Sequence, residues 1–564
     1  MTRKAPDDAV APDAKRQKQL VGTDAAPSHV FRDDLLSPAS VASYAAQFAS
    51  STPYLHCVMN DLVSDALLRK VRTEITSALH FTVKETDIYK VHQTGDLANL
   101  DGLPADELAQ LSSLFELRNA LYSQSFRDFL AAVTGCGPLS GKKADMSINT
   151  YTAGCHLLNH DDVIGSRRVS YILYLPDPDE PWPASNGGAL ELYPVVEKGT
   201  PAVEPTVSIP PKWNQFVMFT VQPGHSFHSV EEVVVDKARL SVSGWFHVPQ
   251  EGEEGYDAER DKGEAPASLD QLQEGVASPF VPYSTDNAEP AALSAADIEF
   301  LREFINPTYL DPQQLAEVAD LLLKDSSIQL MEFLNKDLAK KIERAVIASD
   351  KDCGLLADKL PPHGVGKRDG WTVAGPPHKL RYATLDSSPL SSDAAKSTSP
   401  DVATAQLFAD LSHRLFPSAA FRNWLLAVTH LPASGSRGIA RRFRPGLDYT
   451  LAWSDSIRVL DATLCLAPRP TSDADDVWLS DEVGGYECYM APHEGEEDAA
   501  VYKQMDEDGA LLTLSAGWNV LALVVRDEGL MRFVKYVSAA APASRWDVAF
   551  EYEIPPVEED SDEE

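Results

Sequence analysis

The sequence has 564 residues, 44% of them hydrophobic and 24% charged, which is the composition of a folded protein long enough for more than one domain. Its formal net charge of −36 disfavours direct binding to DNA or to anionic lipid and favours a basic protein partner. The six cysteines form no Cys-x-x-Cys pair and no apolar run could span a bilayer, so we expect a protein of the nucleus and cytoplasm without membrane contact.

The N-terminal segment, residues 1–30, lacks hydrophobic periodicity and is predicted to be a disordered tail. Two basic clusters in it, Arg3-Lys4 and the stretch from Lys15 to Lys18, resemble a bipartite nuclear-import signal. A solvated tail without a targeting role is the alternative, because short basic clusters are common.

The predicted secondary structure then changes from helices to strands. Apolar residues at helical spacing predict helices over residues 61–79 and 105–134. Short alternating or apolar runs follow, bounded by Gly, Pro, Asn and Asp, as in antiparallel β domains. These runs occupy residues 146–151, 169–175, 189–193, 213–221, 228–235 and 240–248. We therefore expect a helix-supported β domain over residues 31–249.

The second half begins after a change in composition. Residues 250–293 are rich in Glu, Asp, Gly, Pro and Ala and are predicted to be an acidic linker. A second domain is predicted over residues 294–555, followed by an acidic tail at 556–564. Within this second domain we expect helices at 295–305 and 313–323 and mobile loops at 387–403 and 494–509.

The two halves resemble each other, which gives an internal comparison that needs no homologues. The stretch from Phe126 to Thr134 matches the stretch from Phe421 to Thr429, and further identical or similar pairs follow in the same order. These pairs are Tyr151 with Phe443, Gly154 with Gly446, Trp213 with Trp518, Phe227 with Phe533, Arg239 with Arg545 and Pro249 with Pro555. The second half is therefore predicted to be another copy of the same β domain.

Three titratable residues of the first copy have no counterpart in the second. In the alignment the three pairs are His160 with Ala452, Asp162 with Ser454 and His228 with Val534. Their joint loss indicates that they act as a unit. The hypothesis is a metal site in the first copy and none in the second.

The spacing of these residues suits one metal ion. His160 and Asp162 lie two apart on a predicted strand, so both side chains project from one face, and closure of a barrel could bring His228 beside them. Two His and one carboxylate leave an open face on the metal, which suits non-heme iron(II) that binds a co-substrate and oxygen. A zinc hydrolase remains an alternative, because the same ligands hold catalytic zinc.

Arg239 favours iron over zinc. It begins an otherwise apolar and small-residue strand, and a buried guanidinium there needs an anion. The distal carboxylate of 2-oxoglutarate would accept bidentate hydrogen bonds from it. Tyr151 and Tyr174, on flanking strands, could reach the same carboxylate, although core packing explains them equally well.

Several stretches resemble a known enzyme family. They run from Tyr151 to Leu175, from Asn186 to Tyr193, from Phe227 to Val233 and from Phe81 to Leu100. All are similar to the ribosomal-protein prolyl hydroxylases, the fungal and animal 2-oxoglutarate- and iron-dependent oxygenase domain-containing proteins linked to translation termination. The likeness covers nearly the whole chain, including its two-copy layout.

The resemblance implies a mainly β fold with supporting α-helices, arranged as tandem double-stranded β-helix domains of jelly-roll or cupin-like type. It implies Fe(II) as cofactor, 2-oxoglutarate and O2 as co-substrates, and ascorbate as a supporting reductant. The implied iron ligands are His160, Asp162 and His228, and the implied 2-oxoglutarate-binding residues are Arg239, Tyr174 and Tyr151.

The implied substrate is a proline of the small-subunit ribosomal protein at the decoding centre, hydroxylated at carbon three and, in some members, also at carbon four. An acidic enzyme suits such a basic substrate. The alternative of a different class is an oxygen-responsive scaffold or regulator, which would bind translation-termination or regulatory proteins through the ligand-free second domain.

Overall fold

The structure is a computed structural model. It describes residues 29–97, 100, 104–258, 278–283, 293–355, 359–385, 399–454, 456–469, 477–480, 482–491 and 510–555. The basic clusters of the N-terminal tail, most of the predicted linker, the 494–509 insert and the acidic tail lie outside these ranges. No helix within them is both long enough and apolar enough to cross a membrane.

Helices and strands follow one another in a similar order in the two halves. The helices of the first half are α1 (Pro38–Ala49), α2 (Asp65–Ala78), α3 (Ala105–Gln110), α4 (Ser112–Leu121) and α5 (Gln124–Thr134). Its strands are β1 (His56–Asn60), β2 (Thr82–Glu85), β3 (Tyr89–Gln93), β4 (Ala144–Tyr151), β5 (His156–His160), β6 (Arg167–Tyr174), β7 (Leu190–Leu192), β8 (Val195–Glu197), β9 (Thr200–Pro201), β10 (Val207–Ile209), β11 (Gln215–Thr220), β12 (His228–Val230) and β13 (Arg239–His247).

The second half contains the helices α6 (Ala295–Leu301), α7 (Pro312–Asp325), α8 (Lys336–Asp352), α9 (Pro400–Ala409) and α10 (Ala419–Thr429). Its strands are β14 (Val281–Pro282), β15 (Ser327–Met331), β16 (Trp371–Ala374), β17 (Leu380–Leu385), β18 (Gly435–Phe443), β19 (Tyr449–Thr450), β20 (Trp453–Ser454), β21 (Val459–Leu466), β22 (Glu487–Met490), β23 (Ala510–Leu514), β24 (Trp518–Arg526), β25 (Met531–Val534) and β26 (Arg545–Glu553).

The two halves build antiparallel sheets with the same strand order, as one curled sheet in the first half and as two sheets in the second. The first sheet has 11 strands in the order β1-β11-β6-β13-β4-β3-β5-β12-β7-β10, with β2 paired to β3. The second half repeats the first part of this order as β15-β24-β21-β26-β18-β17-β16 and the last part as β20-β25-β22-β23. The predicted fold, a mainly β protein with tandem double-stranded β-helix domains and supporting helices, is confirmed.

Equivalent asparagines join strand and helix in the two copies. Asn214 has φ 58° and Asn519 has φ 57°, a left-handed conformation that asparagine tolerates better than most side chains. The side-chain amide of Asn214 accepts from Val63 N and donates to Val63 O. Asn519 makes the same two bonds to Leu334. The predicted pairing of Trp213-Asn214 with Trp518-Asn519 therefore reflects one conserved corner of the fold.

The matched helices α5 and α10 are also capped alike. Ser123 and Ser418 precede them and accept hydrogen bonds from Phe126 N and Phe421 N, which satisfies one free N–H of each first turn. Both helices pack their apolar faces on their own sheet. The core of each half therefore lies between its helices and the larger part of its curled sheet.

Some predicted elements differ from the structure. The single helix expected over 105–134 is three helices, because Ser123 is extended and caps a new one. The mobile loop expected at 387–403 is wrong at its end, because α9 begins at Pro400 behind the capping residue Ser399. Helices α1 and α8 were not predicted. Part of the predicted linker adds β14 to the second sheet, where it pairs with β18.

Candidate metal centre

His160, Asp162 and His228 come together inside the first sheet. His160 ends β5, His228 begins β12, and the two residues are direct partners in the antiparallel pairing of these strands. Nε2 of His160 lies 3.2 Å from Oδ1 of Asp162, and Nε2 of His228 lies 3.4 Å from Oδ2. All three side chains are buried and offer ligand atoms within 4.8 Å of one another. The arrangement fits one small cation.

Both imidazoles are oriented by backbone carbonyls. Nδ1 of His160 lies 2.9 Å from Leu158 O, and Nδ1 of His228 lies 2.8 Å from Ser226 O. Because a carbonyl can only accept, each Nδ1 carries the proton and each Nε2 presents a lone pair to the centre. This is the tautomer that a metal ligand requires.

The carboxylate of Asp162 is held in place from a second side. Asp162 has φ 62°, which turns the chain after β5 and aims the side chain back between the imidazoles. Trp245 donates its indole N–H to Oδ2 of Asp162 at 3.1 Å. Burial opposes ionisation, but imidazoles of His228 and His160 that carry a proton on Nε2 outweigh it and lower the pKa of Asp162 well below its ordinary value; a cation held by the neutral rings would act in the same direction. The carboxylate is therefore anionic and faces both imidazoles.

Arg239 is buried near this centre with part of its guanidinium unused. It is 1% exposed, Nε donates to Gly188 O at 2.7 Å, and Nη1 lies 3.4 Å from the hydroxyl of Ser241. Nη2 and the hydroxyl of Tyr174 are buried and make no hydrogen bond of ordinary geometry. The guanidinium carbon lies 4.7 Å and 4.8 Å from the rings of Tyr151 and Tyr174.

These groups fit a bound carboxylate. Burial raises the pKa of Tyr151 to about 12 and also raises the pKa of Tyr174, so both hydroxyls are neutral donors. Together with Nη2 of Arg239 they offer donors to one anion. The triad, Arg239 and Tyr151 line one cavity of about 500 Å³. The residues present thus suit iron together with 2-oxoglutarate.

The glycine at 188 permits this arrangement. Its φ of 75° is strained for other residues, and a Cβ there would lie 3.0 Å from Cδ of Arg239. In the second copy Gly485, with φ 73°, packs in the same way on Cδ of Arg545 at 3.5 Å. These two glycines therefore fix the register between the copies.

The structural register corrects the sequence alignment at the lost ligands. Leu192 pairs with His228, and its equivalent counted from the glycines, Tyr489, pairs with Arg532. Arg532 in turn pairs with Trp453, as His228 pairs with His160. The positions of the two histidines are therefore held by Trp453 and Arg532. The predicted opposites, Ala452 and Val534, are wrong by one and two residues, and Asp162 corresponds to Asp455, outside the described residues.

Charged side chains of the second copy take the place of ligands. Arg532 contacts Glu487 and lies 2.9 Å from Asp461, so a guanidinium stands where His228 would offer a lone pair to a metal ion. Arg545 is paired with Asp547, which corresponds to Ser241, so this chain supplies the anion itself. Tyr151 and Tyr174 correspond to Phe443 and Cys465.

A second group of potential ligands in the described residues lies between the two halves. It consists of Glu191, Glu231 and His363. Arg381 lies 2.6 Å from Nδ1 of His363, which must accept, so the proton of His363 is on Nε2 and points at Glu191. The group is therefore an interdomain hydrogen-bond network and not a prepared metal site.

Sequence reasoning missed one contributor to the centre. Trp245 was not assigned to the site from the sequence, but its N–H bonds to Asp162. Its position on the same strand face as Arg239 was the available signal. His156, at the other end of β5, packs its ring on Tyr536 of the second half with 4.1 Å between the ring centroids, away from the metal position.

Comparisons with known proteins agree with this geometry. Residues 146–247 match the family model described as the 2OG-Fe(II) oxygenase superfamily, and residues 296–561 match the one described as oxoglutarate and iron-dependent oxygenase degradation C-term. Among solved structures, a Pseudomonas putida prolyl-4-hydroxylase aligns with 37% of this chain and 98% of its own at 20% identity. Its TM-score of 0.26 is too low to add to the fold seen directly.

Two curated relatives align with nearly all of the sequence. A protein named prolyl 3,4-dihydroxylase OGFOD1 from Ostreococcus tauri is 39% identical over 506 residues, 89% of this chain and 95% of that protein. Prolyl 3-hydroxylase OGFOD1 from Xenopus laevis is 29% identical over 567 residues, 92% of each. The zinc-hydrolase alternative loses its support, and the resemblance noted in the sequence is confirmed. This chain belongs to the OGFOD1 family of 2OG-Fe(II) oxygenases, enzymes that use Fe(II), 2-oxoglutarate and O2.

Proposed function

We propose that the protein is a prolyl hydroxylase whose working site is His160, Asp162 and His228 with bound iron. Arg239, Tyr174 and Tyr151 hold the distal carboxylate of 2-oxoglutarate. Iron with 2-oxoglutarate and O2 supplies the oxidising power that hydroxylates an unactivated C–H bond. The chain's own residues bind the co-substrate, orient the ligands and exclude water from the cavity.

The observation that carries this proposal is the unused Nη2 of Arg239. A buried guanidinium with one unsatisfied donor, in the same cavity as two imidazoles and a carboxylate, needs an anion that also reaches the metal position. A dicarboxylate with a keto group next to one carboxylate meets both requirements. The names of the curated relatives support proline as the residue modified.

The proposed substrate is the small-subunit ribosomal protein at the decoding centre, and the proposed consequence is an effect on translation termination. The net charge of −36 supports a basic protein substrate. We further propose that the enzyme acts in nucleus and cytoplasm, that ascorbate supports turnover, and that the product carries one or two hydroxyl groups.

Mass spectrometry of the ribosomal protein tests the proposal directly. Full-length enzyme is loaded with iron(II) without oxygen, then supplied with air, 2-oxoglutarate and the substrate protein. We expect one or two added oxygen atoms on a single proline and matching succinate formation. His228→Ala should abolish both. If succinate formed but the ribosomal protein stayed unmodified, the oxygenase activity would be supported and the ribosomal protein would be excluded as its substrate.

Arg239→Lys separates the co-substrate site from the metal site. An ammonium cannot reproduce the two-pronged guanidinium, so the KM for 2-oxoglutarate should rise by roughly tenfold or more while iron binding is kept. Initial rates at varied 2-oxoglutarate concentration measure this. An unchanged KM would place the carboxylate elsewhere.

The scaffold alternative concerns the second domain. Trp453 and Arg532 at the histidine positions, with the acidic partners of Arg532, leave this domain without the ligand set of the first. We propose that it does no chemistry. If the His228→Ala protein still bound a translation-termination partner, partner binding would be independent of the iron site, as expected for a binding role of the second domain.

A further inference from the structure

The hairpin formed by β2 and β3 is a wall of the iron cavity. Lys84, Tyr89, Val91 and Gln93 all line that cavity. Lys84 Nζ donates to Oε1 of Gln93 across the hairpin at 2.7 Å, and Nε2 of Gln93 reaches Asn149 of β4 at 2.9 Å. The width of the cavity on this side therefore depends on where the hairpin lies.

The first domain holds the turn of the hairpin at one residue, because Ile88 is buried and accepts a hydrogen bond from Leu158 N at 2.9 Å. Among the described strands β2 pairs only with β3, and Thr82 and Val83 are exposed. The turn at residues 86–88 is closed locally by the hydroxyl of Thr86, which accepts from Ile88 N at 3.1 Å and from Tyr89 N at 3.3 Å. These two bonds lie within the turn and shape it.

The second domain supplies a further anchor on the residues that precede Ile88. Lys535, which is 3% exposed, donates to the carbonyl oxygen of Thr86, and its ammonium lies 3.2 Å from Oε1 of Glu85. Ala452 N donates to Oδ2 of Asp87 at 3.0 Å. Three consecutive residues, the last of β2 and the first two of the turn, are therefore bonded to the other copy of the fold.

The anchor is itself fixed to the first domain at a second place. Tyr536, Ser538 and Ala539 N, from the same segment as Lys535, all donate to the buried carboxylate of Glu232. Glu232 follows β12, the strand that carries His228. The segment 535–539 thus bridges the strand of a proposed iron ligand and the hairpin wall of the cavity.

A buried ammonium is a costly way to fill this space. Its desolvation is offset only when charged and polar partners are in place, so the lysine holds its partners in one position more strictly than an apolar side chain would. Apolar residues could have closed the same interface, as Tyr449, Leu451 and Tyr536 do in the adjoining interdomain cluster. The choice of lysine therefore specifies the position of the turn.

We propose that Lys535 is a positioning residue for hydroxylation: through Glu85 and Thr86 it fixes the β2–β3 hairpin, and with it the wall of the cavity that the substrate protein must contact. The second domain acts in this way on the site of the first although it does no chemistry. This inference rests on the proposed hydroxylase function.

Lys535→Met in the full-length protein tests the contact, because it keeps the length of the side chain and removes the ammonium. We expect the KM for the substrate protein to rise on the order of tenfold, the ratio that one charge-assisted hydrogen bond represents. The KM for 2-oxoglutarate should stay within about twofold. Hydrogen exchange over residues 82–93 should accelerate without substrate present.

Ser538→Ala is the matched control. It removes an interdomain hydrogen bond from the same segment but leaves the hairpin untouched. It should change neither exchange in the hairpin nor the KM for the substrate protein. Lys535→Arg should restore most of both. Should Lys535→Met fail to fold, Glu85→Gln, at the half-exposed end of the ion pair, weakens the same contact and should show a smaller change in the same direction; Lys90→Met, which removes only the other ion pair of Glu85, at 3.4 Å within the hairpin, is its control.

The outcomes separate the two proposals. If the wild type hydroxylates no proline, the proposed function fails, and hydrogen exchange alone decides whether Lys535 positions the hairpin. If the wild type is active and Lys535→Met leaves exchange and both KM values unchanged, positioning is refuted. Equal effects of Lys535→Met and Ser538→Ala would also refute positioning, because a general loosening of the interdomain interface would then explain both variants.

Discussion

The indole of Trp245 lies beside the metal position without being a ligand. Its N–H donates to Oδ2 of Asp162, and its ring is covered by the guanidinium of Arg167 at 3.5 Å. Oδ2 is thereby engaged on one side, which leaves the lone pairs on the imidazole side for an ion. Partners of this kind orient a ligand and adjust its basicity.

Trp245→Phe should therefore weaken the centre while leaving the fold in place. The aromatic body remains under Arg167, but Asp162 loses its donor, and we expect a loss of about 10- to 100-fold in iron affinity or turnover. Anaerobic iron(II) titration and succinate formation measure the two quantities. A variant with wild-type iron affinity and rate would show that the hydrogen bond is incidental.

Residues that carry the chemistry could be predicted because their types are rare in such positions. His160 and His228 stood out because the second copy has no histidine at their positions, Asp162 because it lies two residues after His160, and Arg239 because its strand is otherwise apolar. Trp245 could not be distinguished from aromatic residues of the core, because the sequence does not show that its indole N–H lies beside the carboxylate of Asp162. Its role became visible only in the structure, from the 3.1 Å between its indole nitrogen and Oδ2 of Asp162.

At the scale of elements, the sequence predicted the repeat but misjudged its register. The structural equivalents of His160 and His228 are Trp453 and Arg532, which require one additional residue before β20 and a longer loop before Arg545. The coincidental match of Phe227 with Phe533 concealed the longer loop, so no gap was needed in the alignment. The pairing of strands reveals such insertions, because two residues are equivalent when they face equivalent partners on the neighbouring strand, whatever the number of residues in the loops between them.

The corners at Asn214 and Asn519 allow a matched test of the two copies. Each residue adopts positive φ and closes two hydrogen bonds to one backbone residue. Alanine would lose both bonds and strain the backbone, so each change should lower the free energy of unfolding by about 2 kcal/mol or more. Chemical denaturation measures this loss.

Glycine at the same positions separates the two causes. Asn214→Gly and Asn519→Gly relieve the strain of positive φ but still lack the hydrogen bonds, so each should lie between the alanine variant and the wild type. A loss below about 0.5 kcal/mol in the alanine variants would contradict the structural role of these corners.

For the whole molecule, the repeat divides the work between two copies of one fold. The second keeps the sheet order, the asparagine corner and the capped helix, but it fills the metal position with Arg532 and its acidic partners. A fixed guanidinium repels a divalent cation. The copy therefore keeps the packing of the first and contributes the anchor for its hairpin.

This division predicts one iron per chain. Full-length protein reconstituted without oxygen should bind one equivalent of iron(II), and His228→Ala should bind none tightly and form no succinate. Elemental analysis after gel filtration gives the ratio. A second equivalent that survives His228→Ala would place a metal in the second domain and overturn the assignment of Arg532.

The interface between the domains should also respond to pH through Glu231. Burial and then the neighbouring carboxylate of Glu191 raise the pKa of Glu231 from 4.5 to about 8, so the folded protein keeps a proton that the unfolded chain loses in this range. His363 donates to Glu191 and accepts from Arg381, so these hydrogen bonds stabilise the charge of Glu191 and not that of Glu231. Because the folded state binds more protons between these values, stability is highest at the acidic end and falls as pH rises through the window.

Glu231→Gln isolates this contribution, because glutamine keeps the shape and can still accept from Ala189 N. Its melting temperature should fall less than that of the wild type between about pH 5.5 and pH 8.5, since no proton has to be released from the interface. Other titrating groups are common to both proteins and cancel in the difference between the two curves. If the melting temperatures of both proteins changed equally with pH, Glu231 would not retain its proton in the folded state, and this prediction would be wrong.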